Sequence, residues 1–164
     1  FSLKRWYIND NTPSSLEKYL LLSSSELELP AYKICKMNKL IIDATENKIF
    51  LMIIVNSFNH NITYENSKIN YEKLILLINE FLKSKNLSLS RISEIYINGG
   101  PGSFAGIRNS LSIVKAINLV KKIDYYCYNL KDFEKEGKIL HKNIPILCKK
   151  FNVKKNLINP IYLS

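Results

Sequence analysis

The sequence is poor in the residues that build metal and redox centres. Its 164 residues include two histidines, His60 and His141, and three cysteines, Cys35, Cys127 and Cys148. No HxxxH, HExxH or CxxC spacing occurs, so a helical two-histidine metal site and a cysteine zinc site are both excluded as readings. An odd number of cysteines without framework spacing argues against a disulfide scaffold and fits a reducing, cytoplasmic setting. The longest uninterrupted apolar run, Ile49 to Val55, is too short to cross a bilayer, and no signal-peptide pattern opens the chain. Arginine is scarce as well. Arg5, Arg91 and Arg108 stand against 21 lysines, so the bidentate fork used in base and phosphate recognition is nearly absent.

The formal charge is nevertheless +10. Residues 121–164 carry much of it, with ten lysines against four carboxylates. Such a field favours acidic partners at low salt, and direct contact of this basic stretch with nucleic acid is one reading. A solvated lysine surface is the other. The abundance of lysine, asparagine and isoleucine together matches a drift towards A/T-rich codons, which requires no nucleic-acid role.

The chain starts at Phe1, and residues 1–36 differ in pattern from the rest of the sequence. Ser14 and Glu17 form a capping-box signal before a short helix over Leu16 to Leu22, and the stretch holds no recognisable chemistry. It reads as an N-terminal extension, with Met37 as a candidate native start. From Lys39 the pattern is regular. Strands are expected at Leu40–Asp43, Lys48–Val55 and His60–Tyr64, the first two joined by the hairpin-length turn Ala44–Asn47 and the next pair by Asn56–Asn59. A helix is expected over Asn70–Lys85, then a strand at Glu94–Asn98, a helix over Ile107–Lys121 and a strand at Tyr125–Tyr128. The order βββαβαβ predicts a mixed sheet with helices packed on it. Residues 37–130 form the expected lobe, and 131–164 a short basic tail.

Both helices carry more apolar surface than one sheet contact needs. Leu74, Leu77 and Phe81 widen the stripe of the first; Ile113, Ala116, Ile117 and Val120 form a second edge on the other. Such a patch is expected to be covered, either by a partner subunit in a helix bundle or by the chain's own ends.

Glycine is concentrated: Gly99, Gly100, Gly102 and Gly106 fall within eight residues, between a strand and a helix. Glycines permit close backbone approach, and the first amides of the helix offer N–H groups to an anion. The Walker pattern fails for want of Gly-Lys-Ser/Thr. The dinucleotide fingerprint is nearly met by Gly100, Gly102 and Ala105, with Asp124 further on, but Pro101 interrupts it and Asp124 precedes its strand. The other reading is a tight loop that lets a helix pack closely on the sheet. Asp43, with Thr45 beside it, stands where an actin-like ATPase orients hydrated Mg²⁺, or else caps the strand end. Arg108 is suited to pairing with a carboxylate or an anion. Ser103 lacks a nearby histidine, Cys127 reads as a small core residue, His60 as a turn residue and His141 as a solvated tail residue.

The segment Ile97-Asn98-Gly99-Gly100-Pro101-Gly102-Ser103-Phe104-Ala105-Gly106-Ile107-Arg108, followed by Leu111 and Lys115-Ala116, resembles the GPGSFTGLR signature of the TsaB (YeaZ) family. Leu40 to Thr45 resembles that family's opening strand, usually ending Asp-Thr-Ser, and Asn159 to Leu163 its closing Pro-x-Tyr-Leu. Departures are Asp-Ala-Thr at 43–45, Ala105 in place of the loop threonine, and Asn70-Tyr71 where the family's His-Ser opens its first helix. The resemblance implies an α/β, actin-like (ASKHA, ribonuclease H-like) single lobe. It implies a non-catalytic subunit without a cofactor that supports a TsaD-like enzyme through a helix bundle. The product of that enzyme is N6-threonylcarbamoyladenosine in tRNAs reading codons that begin with A. A TsaE-like ATPase joins the larger complex, tRNA is engaged indirectly, and a homodimer is a further expectation. After Lys121 too little sequence remains for a full second lobe. The alternative is a nucleotide-binding enzyme of the actin-like ATPase class, using the glycine loop and Asp43.

Overall fold

The computed structural model describes residues 38–162. The expected extension over residues 1–36, with its short helix, lies outside the described residues, as does Leu163. Five strands form one sheet in the order β3-β2-β1-β4-β5. The strands are β1 (Asn38–Asp43), β2 (Lys48–Val55), β3 (Phe58–Glu65), β4 (Ile92–Asn98) and β5 (Asp124–Tyr128). The first three form an antiparallel meander. β4 then pairs parallel with β1, and β5 parallel with β4. This is the mixed sheet that the βββαβαβ order predicts, and β1 is its centre.

The position of β1 explains its composition. Leu40, Ile41 and Ile42 are all fully buried, because alternate residues face opposite layers and both layers are apolar. On the front face Leu40, Ile42, Leu51, Ile53, Ile95 and Ile97 meet helices α1 (Lys68–Glu72), α2 (Leu74–Lys83) and α3 (Phe104–Lys121). Leu74, Ile78 and Leu82 from α2, and Ile107, Leu111 and Val114 from α3, close this core. Burying each such side chain contributes about 1.5–3 kcal/mol. Gly106 sits where α3 approaches the sheet, since a Cβ there would overlap the Ala44 carbonyl oxygen.

The back face departs from expectation. Residues 130–150, expected as the start of a short basic tail, instead form a packed layer. Two 3₁₀ turns, Leu130–Glu136 and His141–Asn143, and helix α4 (Ile144–Lys150) lay Phe133, Ile144, Leu147 and Cys148 on Ile41, Met52, Tyr96 and Tyr128. The lysines of this layer point to water while its few apolar residues fill a second core, so its net charge concealed its packing. The chain then returns along the outer edge of β5. The Asn156 N–H donates to the Tyr125 carbonyl (2.8 Å) and the Ile161 N–H to the Gly99 carbonyl (2.7 Å).

Some boundaries also differ. The expected single helix is broken at Lys73 into α1 and α2. Tyr71 is tethered through its hydroxyl to Asn66 and lies against Gly106, whereas α2 follows the sheet, so the two pieces have different anchors. The β2–β3 turn needs only Asn56 and Ser57, because Asn56 adopts the left-handed conformation (φ 55°) that asparagine tolerates. His60 is consequently an exposed residue within β3, not a turn residue.

Candidate functional site

Asp43 and Asn98 end the adjacent parallel strands β1 and β4, and the side-chain alternation turns both towards the back layer. At this end of a parallel sheet α/β proteins place their ligands. Asp43 is buried, with four donors on its carboxylate. Oδ1 accepts from the Thr45 N–H (3.1 Å) and the Thr45 hydroxyl (2.7 Å). Oδ2 accepts from Asn98 Nδ2 (2.9 Å) and lies 3.2 Å from His141 Nε2. Burial pushes this carboxyl up, yet the bonds from His141, Asn98 and Thr45 outweigh it and hold Asp43 below the usual carboxylate range.

His141 is the member of this network that the sequence pattern did not reveal. The sequence pattern puts it in solvated tail; it instead reaches across 98 positions to Asp43, with its ring 4.1 Å from that of Phe50. The signal was faint: a lone histidine just before the apolar stretch 144–148. Asn98 is fully buried and serves both sides of the site, donating to Asp43 and accepting from the Gly100 N–H (3.0 Å).

The glycine loop is closed on the protein's own backbone. The Gly99 N–H donates to the Tyr128 carbonyl (2.7 Å), the Ser103 N–H to the Thr45 carbonyl (2.8 Å) and the Gly106 N–H to the Ser103 hydroxyl (3.3 Å). A Cβ at Gly100 would overlap the Ile161 carbonyl, and one at Gly102 the Thr45 carbonyl. Gly100 also has φ 117°, open to glycine alone, and the Gly100–Pro101 peptide is cis. The glycines therefore serve close packing, with the Ala44–Thr45 turn on one side and the returning 159–162 segment on the other.

The loop and Asp43 thus come together, through Asn98 and Thr45, but as a filled hydrogen-bond network. A carboxylate has about four acceptor positions. Those of Asp43 are taken by protein donors, so these residues do not fit a hydrated Mg²⁺ or nucleotide in this arrangement. Arg108 is exposed and lies over the Phe104 ring, 5.9 Å from its centroid. Cys127 is a front-core residue whose thiol burial pushes up. Of the helix residues expected at an interface, Leu74, Phe81 and Ile117 are buried in the core, which corrects that expectation. Leu77 and Ile113 are half-buried, and only Ala116 and Val120 are exposed. Ile69, Leu76 and Leu119 are exposed apolar neighbours in sequence that the expectation omitted.

Comparison with known proteins points the same way. Over 68 residues, the chain is 34% identical to the tRNA threonylcarbamoyladenosine biosynthesis protein TsaB of Buchnera aphidicola subsp. Baizongia pistaciae. Among solved structures, YeaZ from Pseudomonas aeruginosa superposes with a TM-score of 0.53 at 14% identity, covering 61% of this chain and 49% of that one. In fold and in sequence the chain is TsaB-like. A second structure, described as an uncharacterized protein with similarity to peptidase YeaZ from Pseudomonas aeruginosa, gives the same TM-score over 62% of this chain and 49% of that one, again at 14% identity. No family model matches. The sequence match covers 36% of this chain and 31% of the TsaB relative, so the TsaB-like chain spans about a third of that protein and half of each solved one. Its fold is the actin-like α/β lobe that the glycine-loop resemblance implied. Among the described residues no helix is long and apolar enough to cross a membrane.

Proposed function

We propose that this chain is a non-catalytic, TsaB-type subunit that supports a TsaD-like enzyme in forming N6-threonylcarbamoyladenosine in tRNA. The observation that carries the reading is the filled network at Asp43. The carboxylate expected to serve nucleotide or metal chemistry, Asp43, is buried and bonded to Thr45, Asn98 and His141. The self-closed glycine loop supports the same reading, as does the relative's role in threonylcarbamoyladenosine biosynthesis. The subunit meets its TsaD-like partner through the exposed apolar residues of the helical layer, Leu76 on α2 with Leu119 and Val120 on α3. A TsaE-like ATPase and tRNA join through that partner.

The test is co-purification with a TsaD-like protein, with and without the paired change Leu119→Lys and Val120→Lys. A stable complex is expected for the unchanged chain, lost in the double variant while its thermal unfolding stays in place. Mg²⁺-dependent nucleotide turnover by the isolated chain, abolished by Asp43→Ala, would overturn the proposal in favour of the actin-like ATPase reading.

A further inference from the structure

The two edges of the sheet are finished differently. At the β5 edge the returning segment bridges the strand at Tyr126↔Lys155, and the Asn156 N–H donates to the Tyr125 carbonyl. The β3 edge is open. Every residue of Phe58–Glu65 pairs with β2 on the inner side, and among the described residues no strand pairs with the outer side. Alternate residues of β3 therefore aim backbone N–H and C=O groups away from the sheet, a template for one more strand.

Exposed edges are ordinarily blunted by lysine, proline or a bulge. β3 has none of these. Its register with β2 runs unbroken, and in a chain of 21 lysines residues 58–65 hold neither lysine nor proline. The two faces of the strand differ. Phe58, His60, Ile62 and Tyr64 share the front, where Ile62 and Tyr64 pack on the core and Phe58 is 73% exposed. Asn59, Asn61, Thr63 and Glu65 share the back and are all exposed.

We propose that β3 pairs antiparallel with β3 of a second copy of this chain, about a two-fold axis at Asn61, joining the two sheets into one. Ladder geometry limits the register. Opposed residues of an antiparallel pair either both bond across or both turn away, so outward groups meet only where opposed residues lie an even number of positions apart. Front then continues into front. Centring on Asn61 sets Phe58 against Tyr64 of the copy and Asn59 against its Thr63. The exposed ring gains an aromatic partner at both ends, polar faces polar behind, and Glu65 falls opposite Ser57 with no like charge to meet. Centring on Ile62 would leave Phe58 opposite Asn66. The occupant is a copy and not an acidic segment, because an edge built for acid would carry lysine. Two chains of charge +10 approach most easily where lysine is absent. The proposal does not rest on the subunit reading above, since it uses a different surface.

The test is sedimentation of the full chain over a concentration series, with cysteine cross-linking to read the register. A monomer–dimer equilibrium is expected. Phe58→Lys, at an exposed position, should raise its dissociation constant at least about tenfold while urea unfolding of the dilute monomer stays in place. The paired change Leu119→Lys and Val120→Lys should leave the dimer intact. In a Cys35→Ser background, Asn61→Cys places two thiols directly opposite, with Cα atoms about 4.5–5.5 Å apart, and should give a disulfide-linked dimer in a glutathione buffer. Asn59→Cys, about 14 Å from its counterpart, should not. The proposal is overturned by a monomer at every concentration up to about 100 μM. It is equally overturned by a dimer that Phe58→Lys leaves unchanged, or by cross-linking at Asn59→Cys as ready as at Asn61→Cys.

Discussion

Asp43 ties acid stability to the site. Its folded-state carboxyl lies below the ordinary value of 3.8, because the bonds from His141, Asn98 and Thr45 favour the charged form more than burial disfavours it. A depressed carboxyl contributes stability that is fully present above about that value and is lost as pH falls through the lower, folded one. Asp43→Asn should therefore flatten this part of the acid limb in urea midpoints measured from pH 2 to 5. The same substitution should cost about 1–3 kcal/mol at neutral pH, because donors lose their acceptor. An acid limb of unchanged slope in the variant would show that these bonds do not hold the carboxylate in its charged form. The glycines allow a second comparison at this scale. In a helix interior Gly→Ala ordinarily gains about 1 kcal/mol. At Gly106 the new methyl would meet the backbone carbonyl of Ala44, which cannot swing aside as a side chain can. Overpacking of about 1–3 kcal/mol or more should then win, making Gly106→Ala destabilising. Gly137 has open space around its Cα but φ 68° and ψ −126°, outside the left-handed helical well, so Gly137→Ala should cost about 1–3 kcal/mol through backbone strain alone. Chemical denaturation of both variants decides the order.

At the scale of elements, α2 and α3 are each one-sided helices with a few apolar residues left over. Phe81 is 3% exposed and Val120 is 75% exposed, although the sequence pattern places both in an extra stripe. Phe81→Lys should therefore cost about 3–5 kcal/mol, and Val120→Lys less than about 0.5 kcal/mol, in thermal unfolding of the isolated chain. Equal costs would mean that the two helices are seated differently. The helical period alone predicted too wide a stripe because it cannot tell a sheet contact from a neighbouring-helix contact, and α2 makes both. What was legible came from regular alternation. The strands, their order and the loop between β4 and α3 each have local signals within ten residues or so. The back layer has none, since short 3₁₀ turns carry no long apolar period and Phe133, Ile144 and Leu147 are scattered among lysines. The same reason hid the site. Asp43 and Asn98 were visible as strand ends, but His141 joins them only because the back layer folds over the sheet.

The whole described molecule is two cores sharing a single sheet. Each strand sends alternate residues to opposite layers, so Leu40 and Ile42 belong to the front core while Ile41 belongs to the back. Losing the back layer would expose Ile41, Met52, Tyr96 and Tyr128 on strands that also carry the front core. Losing the front layer would do the same in reverse. Neither layer can leave without removing about half of the apolar support of every central strand, and that mutual dependence is the basis of all-or-none unfolding in small domains. The hydrogen bonds of the glycine loop add to this at one end of the sheet, where Tyr128 of β5 and Ile161 of the returning segment close on Gly99. Leu82→Ala in the front core and Phe133→Ala in the back core should then lower the midpoint of the same urea transition, by about 2–5 and 3–5 kcal/mol respectively. Far-ultraviolet circular dichroism and tyrosine fluorescence should report coincident midpoints for each variant. A first transition that Phe133→Ala moves and Leu82→Ala leaves in place would instead make the back layer a separate unit, free to open over Asp43 and release His141.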